Sequence, residues 1–260
     1  MSLKDQDDPA QFSEGRYVYC VVAADAPEPE TGAALALETG GVEGEPVYAV
    51  ETDGIAAIVH ECESLYDSDD LDEVHEWLLD HQAVVDEAGE AFGTPLPFRF
   101  DTIVRGDDDA VREWLEGARE DLEAILDDLA GYWEYRVEIV RTGEPELDDE
   151  RLDELREEVE EAGEGRAFLL EKQLENRRRE IRRERDEEIA ADAQERLEPF
   201  SREIERGEET DVVGSFSLLV HEDDEEAVGE GLDAVADREG IEVRFTGPWP
   251  PYSFVPELEG

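Results

Sequence analysis

The sequence predicts an α+β protein with an N-terminal modified ferredoxin-like domain and a small C-terminal α+β domain bearing a long helical arm. Three observations predict it. Short apolar runs are interleaved with two helical stripes in the first half. A long, charge-dense helical stretch follows. A strand, a helix and a strand then return near the end.

Residues 1–14 read as a disordered tail, 15–143 as the first domain, and 144–260 as the arm and second domain. Tyr17-Val18-Tyr19-Cys20-Val21-Val22-Ala23 is a continuous apolar run, as in a strand covered on both faces. A loop rich in Pro, Gly and Glu spans 25–46. Strands over 47–50 and 55–60 flank Thr52-Asp53-Gly54, a hairpin turn. Leu71, Val74, Leu78, His81, Val85, Ala88 and Phe92 recur at helical spacing, with Gly93 and Pro95 closing the helix. Pro97-Phe98-Arg99-Phe100 reads as a short strand. Asp107-Asp108-Asp109 opens a second helix with the stripe Val111, Leu115, Ala118, Leu122, Ile125 and Leu129. Trp133, Tyr135, Val137 and Ile139 alternate with charged residues, a half-exposed strand. Antiparallel strands with both helices on one face would bury these stripes, and the boundary falls near Thr142-Gly143-Glu144-Pro145.

In the second half an acidic helix carries Leu152, Leu155 and Val159 and breaks at Gly163 and Gly165. A long helix is expected over 166–206, kinked at Pro199, with few apolar residues between Leu174 and Ile189. A strand over 212–220, a helix over 223–238 and a strand over 241–246 complete the domain.

The chain of 260 residues carries 76 acidic residues against 23 basic ones, a formal charge of −53. Only two of the basic residues are lysines, Lys4 and Lys172. In ordinary buffer this charge weakens the compact state by self-repulsion. At about 1 M salt the Debye length falls to roughly 3 Å and most of the repulsion is screened. The composition therefore predicts a halophilic acidic protein. A disordered acidic chain fits worse, because the apolar residues are well organised. A nucleic-acid mimic also fits worse, because the acid is spread along nearly the whole chain. The charge argues against binding nucleic acid or an anionic membrane. No apolar stretch approaches the roughly 20 residues that span a bilayer, and the first residues lack a signal-peptide core. Cys20 and Cys62 are too few for a disulfide framework and read as reduced core residues. These features predict a cytoplasmic protein.

No catalytic constellation emerges. Of the histidines His60, His75, His81 and His221, none forms an HExxH pair, and His81 sits on an apolar stripe as a hydrogen-bonded core histidine. GxSxG, P-loop and GxGxxG patterns are absent. Carboxylates are too abundant for any pair to be informative, and Asp67–Asp72 does not match a calcium loop. The expectation is a protein with no catalytic residue, metal or cofactor.

Two segments depart from the acidic background. Lys172–Arg185 holds seven basic residues and three acidic ones. It reads either as a salt-bridged helix, with Glu175–Arg179 and Arg183–Glu187 pairs, or as a docking stripe in which Arg177, Arg178 and Arg182 bind an acidic partner. The tail Pro248-Trp249-Pro250-Pro251-Tyr252-Ser253-Phe254 reads either as a strap over its domain or as a recognition segment presenting Trp249, Tyr252 and Phe254.

Four stretches resemble the gas vesicle protein F/L family. They are Arg16–Val22, His81–Val85 with Pro95–Thr102, Gly163–Leu170, and Gly247–Phe254. The second resembles the family's Leu-Pro-x-Arg-Phe-Gly-Thr pattern, with Asp101 where the family usually has glycine, and aspartate tolerates the left-handed angle a glycine can adopt. The length and acidic insertions look more like the L-type. The resemblance implies a non-enzymatic accessory or minor structural protein of gas vesicle formation, associated with the vesicles. Its implied partners are the small hydrophobic shell protein and other accessory proteins, acting at nucleation or assembly. A ligand-binding regulatory protein with ferredoxin-like domains is the alternative.

Overall fold

A computed structural model describes residues 11–24, 37–143, 147, 149–207 and 212–256. In strand β1 (Gln11–Ala23) the side chains from Tyr17 to Val21 are fully buried. Neighbouring residues of a strand point to opposite faces, and here both faces are covered. Tyr17 reaches His81 on helix α1 (Leu71–Phe92), while Arg16 beside it reaches Asp108 at the start of α2 (Asp108–Leu129). The two helices therefore lie on opposite faces of the sheet, not on one face as expected. The reason is in the sequence: an apolar run without polar alternation is buried only if it is covered from both sides.

β1 pairs antiparallel with β3 (Ile55–Ser64), β4 (Leu96–Pro97) and β5 (Ile103–Arg105), and β2 (Tyr48–Thr52) pairs with β3. The order is β2-β3-β1-β4, with β5 also beside β1. The β2–β3 hairpin turns at Asp53-Gly54, where Gly54 takes φ 96°. Residues 11–14, expected in a disordered tail, extend β1, and Phe12 packs against the core. Residues 1–10 of that tail, and 25–36 of the expected loop, lie outside the described residues.

Asp70 caps α1 by accepting from the Asp72 N–H, and Asp107 caps α2 by accepting from Asp109 and Ala110. The α1 stripe is rotated from the expected one. Trp77, His81, Val84, Val85 and Ala88 face the core, whereas Leu71 and Leu78 are exposed. On α2 the core takes Val111, Leu115, Leu122, Leu126 and Leu129. The strand expected over 97–100 is shorter and starts earlier, as β4 at Leu96–Pro97, and a turn follows with Asp101 at φ 64°.

Contacts divide the chain into two units, Met1–Glu134 with Pro248–Gly260, and Tyr135–Gly247. This division differs from a boundary at residue 143, and the C-terminal segment returns to the first unit. β6 (Tyr132–Arg141), expected to close the first domain, joins the second sheet. That sheet runs β7 (Glu203–Arg206), β8 (Gly214–His221), β6, β9 (Ile241–Trp249), so β6 lies between β8 and β9 and β7 pairs with β8. Its alternation holds from Tyr135 onward, with Tyr135, Val137 and Ile139 buried, but Glu134, expected outside, is buried and Trp133 is half-buried.

The second unit also contains α3 (Glu150–Glu161), α4 (Glu164–Leu197) and α5 (Glu225–Ala236). Leu152 and Leu155 of α3, Leu170, Ile189 and Leu197 of α4, and Val228 and Leu232 of α5 are buried. α4 ends at Leu197 and does not run to Arg206. Pro199 has no N–H to donate and its ring obstructs the preceding turn, so Ile204 sits in β7 opposite Leu218.

The left-handed angle at Asp101 gives a test. Asp101→Gly should stay within about 1 kcal/mol of the parent. Asp101→Val, a β-branched residue at positive φ, should cost about 2 kcal/mol or more. Chemical unfolding in molar salt measures both.

Candidate functional site

Two parallel hydrogen-bonded chains run through the core of the first unit. Tyr17 and His60 are register partners across β1 and β3, their rings stacked at 4.8 Å and 11°. His81 Nε2 lies 3.1 Å from the Phe98 carbonyl, which can only accept, so Nε2 carries the proton. Nδ1 then accepts the Tyr17 hydroxyl at 2.8 Å, and that hydroxyl oxygen accepts the Asp101 N–H at 3.1 Å. In the second chain the Tyr19 hydroxyl accepts the Val42 N–H at 2.9 Å and lies 2.6 Å from His60 Nδ1. His60 Nε2 is hydrogen-bonded in turn with the Tyr66 hydroxyl at 2.8 Å. The 37–47 segment closes over Tyr19 only because residue 41 is glycine: a Cβ there would lie 2.3 Å from the hydroxyl.

Burial holds both imidazoles neutral. It pulls the pKa of His60 down to about 4, reinforced by His81 nearby, and that of His81 to about 4, opposed in part by its bond to the Phe98 carbonyl. Burial likewise pushes the Tyr17 and Tyr19 hydroxyls and the Cys20 thiol well above their usual range, and the Cys62 thiol to about 11. Both cysteines are free and buried. The network is enclosed and its imidazoles are engaged at both nitrogens. Its consequence is positional, since it fixes the Phe98–Asp101 turn from below while Asp101 Oδ1 accepts the Tyr66 N–H at 3.0 Å.

That turn forms one wall of an open groove of about 990 Å³. Phe98 and Ile103 line one side, and Trp114, Ala118 and Ile125 of α2 line the other. The spacing of the α2 residues makes a second apolar stripe beside the one that faces the sheet. Ala118 and Ile125, expected in the core, are half-buried along this groove. Phe98 meets the Trp114 ring edge-on at 5.6 Å. Arg99 and Asp121 are the charged lining residues, and Tyr252 and Val255 close one end.

The tail residues belong to this first unit. Trp249 ends β9 and is 39% exposed. Tyr252–Phe254 forms a 3-10 turn. Ser253 donates its N–H (2.8 Å) and hydroxyl (2.9 Å) to the buried Glu134 carboxylate. The Tyr252 ring packs against the core 6.4 Å from His81, and its hydroxyl is buried without a hydrogen-bond partner. Phe254 is half-buried.

The arginines lie on α4 in the second unit. Arg177 donates to both oxygens of Asp149 (2.8 and 3.4 Å) and to Glu180 (2.8 Å). Asp149 is also the cap of α3, so this arginine ties α4 to the start of α3. Arg178 and Arg182 are half-buried. Glu175–Arg179 forms at 3.7 Å as expected. Glu187, expected to pair with Arg183, instead accepts two bonds of 2.9 Å from Arg206, because β7 brings Arg206 alongside where a continuous helix would have carried it away. The sequence reading missed Trp114 and the Tyr19–His60–Tyr66 chain. Tyr17 and Tyr19 at i,i+2 opposite a strand histidine carried that signal. Among the described residues no group of three or more His, Cys, Asp or Glu is placed to hold a metal ion, and no helix is long and apolar enough to cross a membrane.

Comparison with known proteins is consistent along the chain. The family model described as gas vesicle synthesis protein GvpL/GvpF matches residues 15–256. Gas vesicle protein L1 of Halobacterium salinarum is 42% identical over 263 residues, covering 95% of this chain and 92% of that protein. Gas vesicle protein L of Haloferax mediterranei is 35% identical, covering 98% of this chain and 91% of that protein. The crystal structure of GvpF from Anabaena sp. PCC7120 superposes with TM-score 0.67 at 20% identity, covering 95% of this chain and all of that one. GvpF from Microcystis aeruginosa superposes with TM-score 0.63 at 18% identity, covering 94% and 99%. These two structures share the fold.

Two measurements probe the core network. Between about pH 6.5 and pH 4 an unfolded histidine binds a proton that folded His60 and His81 refuse. The unfolded state binds more protons there, so stability should fall as pH falls through that window, at fixed molar salt. His81→Gln should be less stable at pH 7 and show a shallower decline between about pH 6.5 and 5. Tyr252→Phe removes an unpartnered buried hydroxyl and should be neutral or stabilising, while Tyr252→Ala should cost about 3 kcal/mol or more. Denaturant titrations read out all of these.

Proposed function

Because the chain belongs to the gas vesicle synthesis protein GvpL/GvpF family, we propose that it acts in the nucleation or assembly of gas vesicles, without a catalytic step. It does so by binding the shell protein and other accessory proteins in the cytoplasm. The observation that supports this reading is a leucine face on α1. Leu71 is 82% exposed, Leu78 45% and Leu79 57%, in a chain of charge −53. Residues seven and eight apart share a helix face. In concentrated salt long-range steering is screened, so partners must be held by short-range apolar contact. A leucine face suits a small hydrophobic shell subunit. Arg177, Arg178, Arg182, Trp249, Tyr252 and Phe254 are further candidate contacts, Arg177 being tied to Asp149 and Glu180.

The alternative, a ligand-binding regulator, needs several polar groups converging on a pocket. The first-unit groove offers Arg99 and Asp121 in an otherwise largely apolar lining, and the Thr102 hydroxyl is already given to the Arg99 carbonyl at 2.6 Å. Its chemistry favours a protein surface over a small polar ligand.

Pairwise capture against each gas vesicle protein in molar salt tests the proposal. Leu78→Glu with Leu79→Glu should lower recovery of at least one partner about tenfold or more with an unchanged melting temperature. Unchanged recovery, or normal vesicles in a clean deletion strain, would overturn it.

A further inference from the structure

α4 carries a second exposed stripe, distinct from the leucines of α1. Phe168 is 66% exposed and Leu169 59%. Lys172, Asn176, Arg179 and Arg183 follow at helical spacing and are all exposed. One carboxylate lies on this face: Glu175, seven residues after Phe168, is exposed and pairs with Arg179 at 3.7 Å. One end is apolar and the other basic. Lys172 and Arg183 make no ion pair among the described residues.

The first-unit groove has the complementary character. Phe98, Trp114, Ala118 and Ile125 supply an apolar floor, and Asp121 lines it. Asp128 follows Asp121 two turns later on the same face of α2, and Glu120 and Asp127 are exposed beside them. The α2 lining from Trp114 to Ile125 is about 16 Å long, and the α4 stripe from Phe168 to Arg183 is about 22 Å. An apolar knob with a basic flank therefore matches an apolar slot with an acidic flank, in comparable lengths.

We infer that two copies of this chain associate head to tail, the Phe168–Leu169 end of α4 from one copy seated in the α2 groove of the next. Lys172 then meets Asp121 of the neighbour. The contact is heterologous: the knob and the groove are different surfaces, so each bound copy still offers one free knob and one free groove, and assembly continues beyond two. Concentrated salt permits this by screening the repulsion between two chains of charge −53. The inference does not depend on which other proteins bind the leucine face of α1.

Sedimentation or light scattering in about 3 M salt tests it, at concentrations up to about 100 µM, the range in which an interface of modest area shows itself. The parent should gain mass with concentration beyond the monomer of 29.3 kDa. A knob variant, Phe168→Glu with Leu169→Glu, and a groove variant, Ala118→Glu, should each remain monomeric with the parent's melting temperature. Their equimolar mixture should form dimers and stop there, since one intact knob and one intact groove remain. If Ala118→Glu unfolds, Ala124→Arg, at an exposed position of the groove rim, takes its place. A parent monomeric at every concentration would overturn the inference, as would variants that still assemble or a mixture that stays monomeric.

Discussion

Strand β1 is buried on both faces, and the first unit is arranged around that fact. Such a strand has no solvent side on which to place a carboxylate, so the stretch from Arg16 to Ala23 is acid-free in a chain that is otherwise saturated with acid. Each polar group it does carry must find a partner inside the protein, because an orphaned buried group costs about 1–3 kcal/mol. Arg16 meets Asp108 at 2.7 Å, with Glu14 and Glu61 at 3.4 and 3.6 Å. Burial acts to raise the Asp108 carboxyl, but bonds from Arg16 and Tyr48 hold it below its usual range. On the opposite face Tyr17 and Tyr19 are committed to His81 and His60. The strand thus fixes the start of α2 on one side and the middle of α1 on the other. Through the Phe98 carbonyl and the Asp101 N–H it also fixes the turn that walls the groove.

The acidic surface constrains recognition in the same way that burial constrains the core. With charges screened within a few ångströms, a carboxylate is a solubility device and carries little address. Specific contact falls to the places the acid leaves bare, namely the leucines of α1, the groove and the stripe on α4. Arginine serves this chain better than lysine would. Its planar fork spans two acids or both oxygens of one. Arg177 serves Asp149 and Glu180, Arg206 takes both oxygens of Glu187, and Arg196 and Arg238 share Asp192.

Much of the fold is legible in periodicity, and the failures have physical causes. The β2–β3 hairpin, both helices of the first half and the alternation of β6 follow from spacing alone. The rotation of the α1 stripe does not, because Trp77 outcompetes Leu78 for the core and a leucine left outside is silent in a pattern of apolar letters. Whether β6 belongs with the first or second sheet is a matter of long-range pairing, which local alternation does not encode. The end of α4 is legible at Pro199, but Phe200 and Ile204 beyond it, four residues apart, mimic a continuing helix. At the candidate surfaces the arginine stretch is conspicuous in composition, yet only coordinates show that Arg177 is occupied by Asp149. Trp114 carries no signal in the sequence, since its role comes from being just off the core-facing line of α2.

The near-absence of lysine has a practical side. The chain contains two, and Lys172 stands exposed in the middle of the α4 stripe, while Lys4 lies near the N-terminus. Amine-directed reagents therefore have very few places to react. Among the described residues neither the leucine face of α1 nor the groove offers such a reagent a lysine, and α4 offers one. Conversely, with Lys4→Arg in place, Lys172 is the one lysine left to carry a fluorophore or spin label on that helix, and both native thiols are buried.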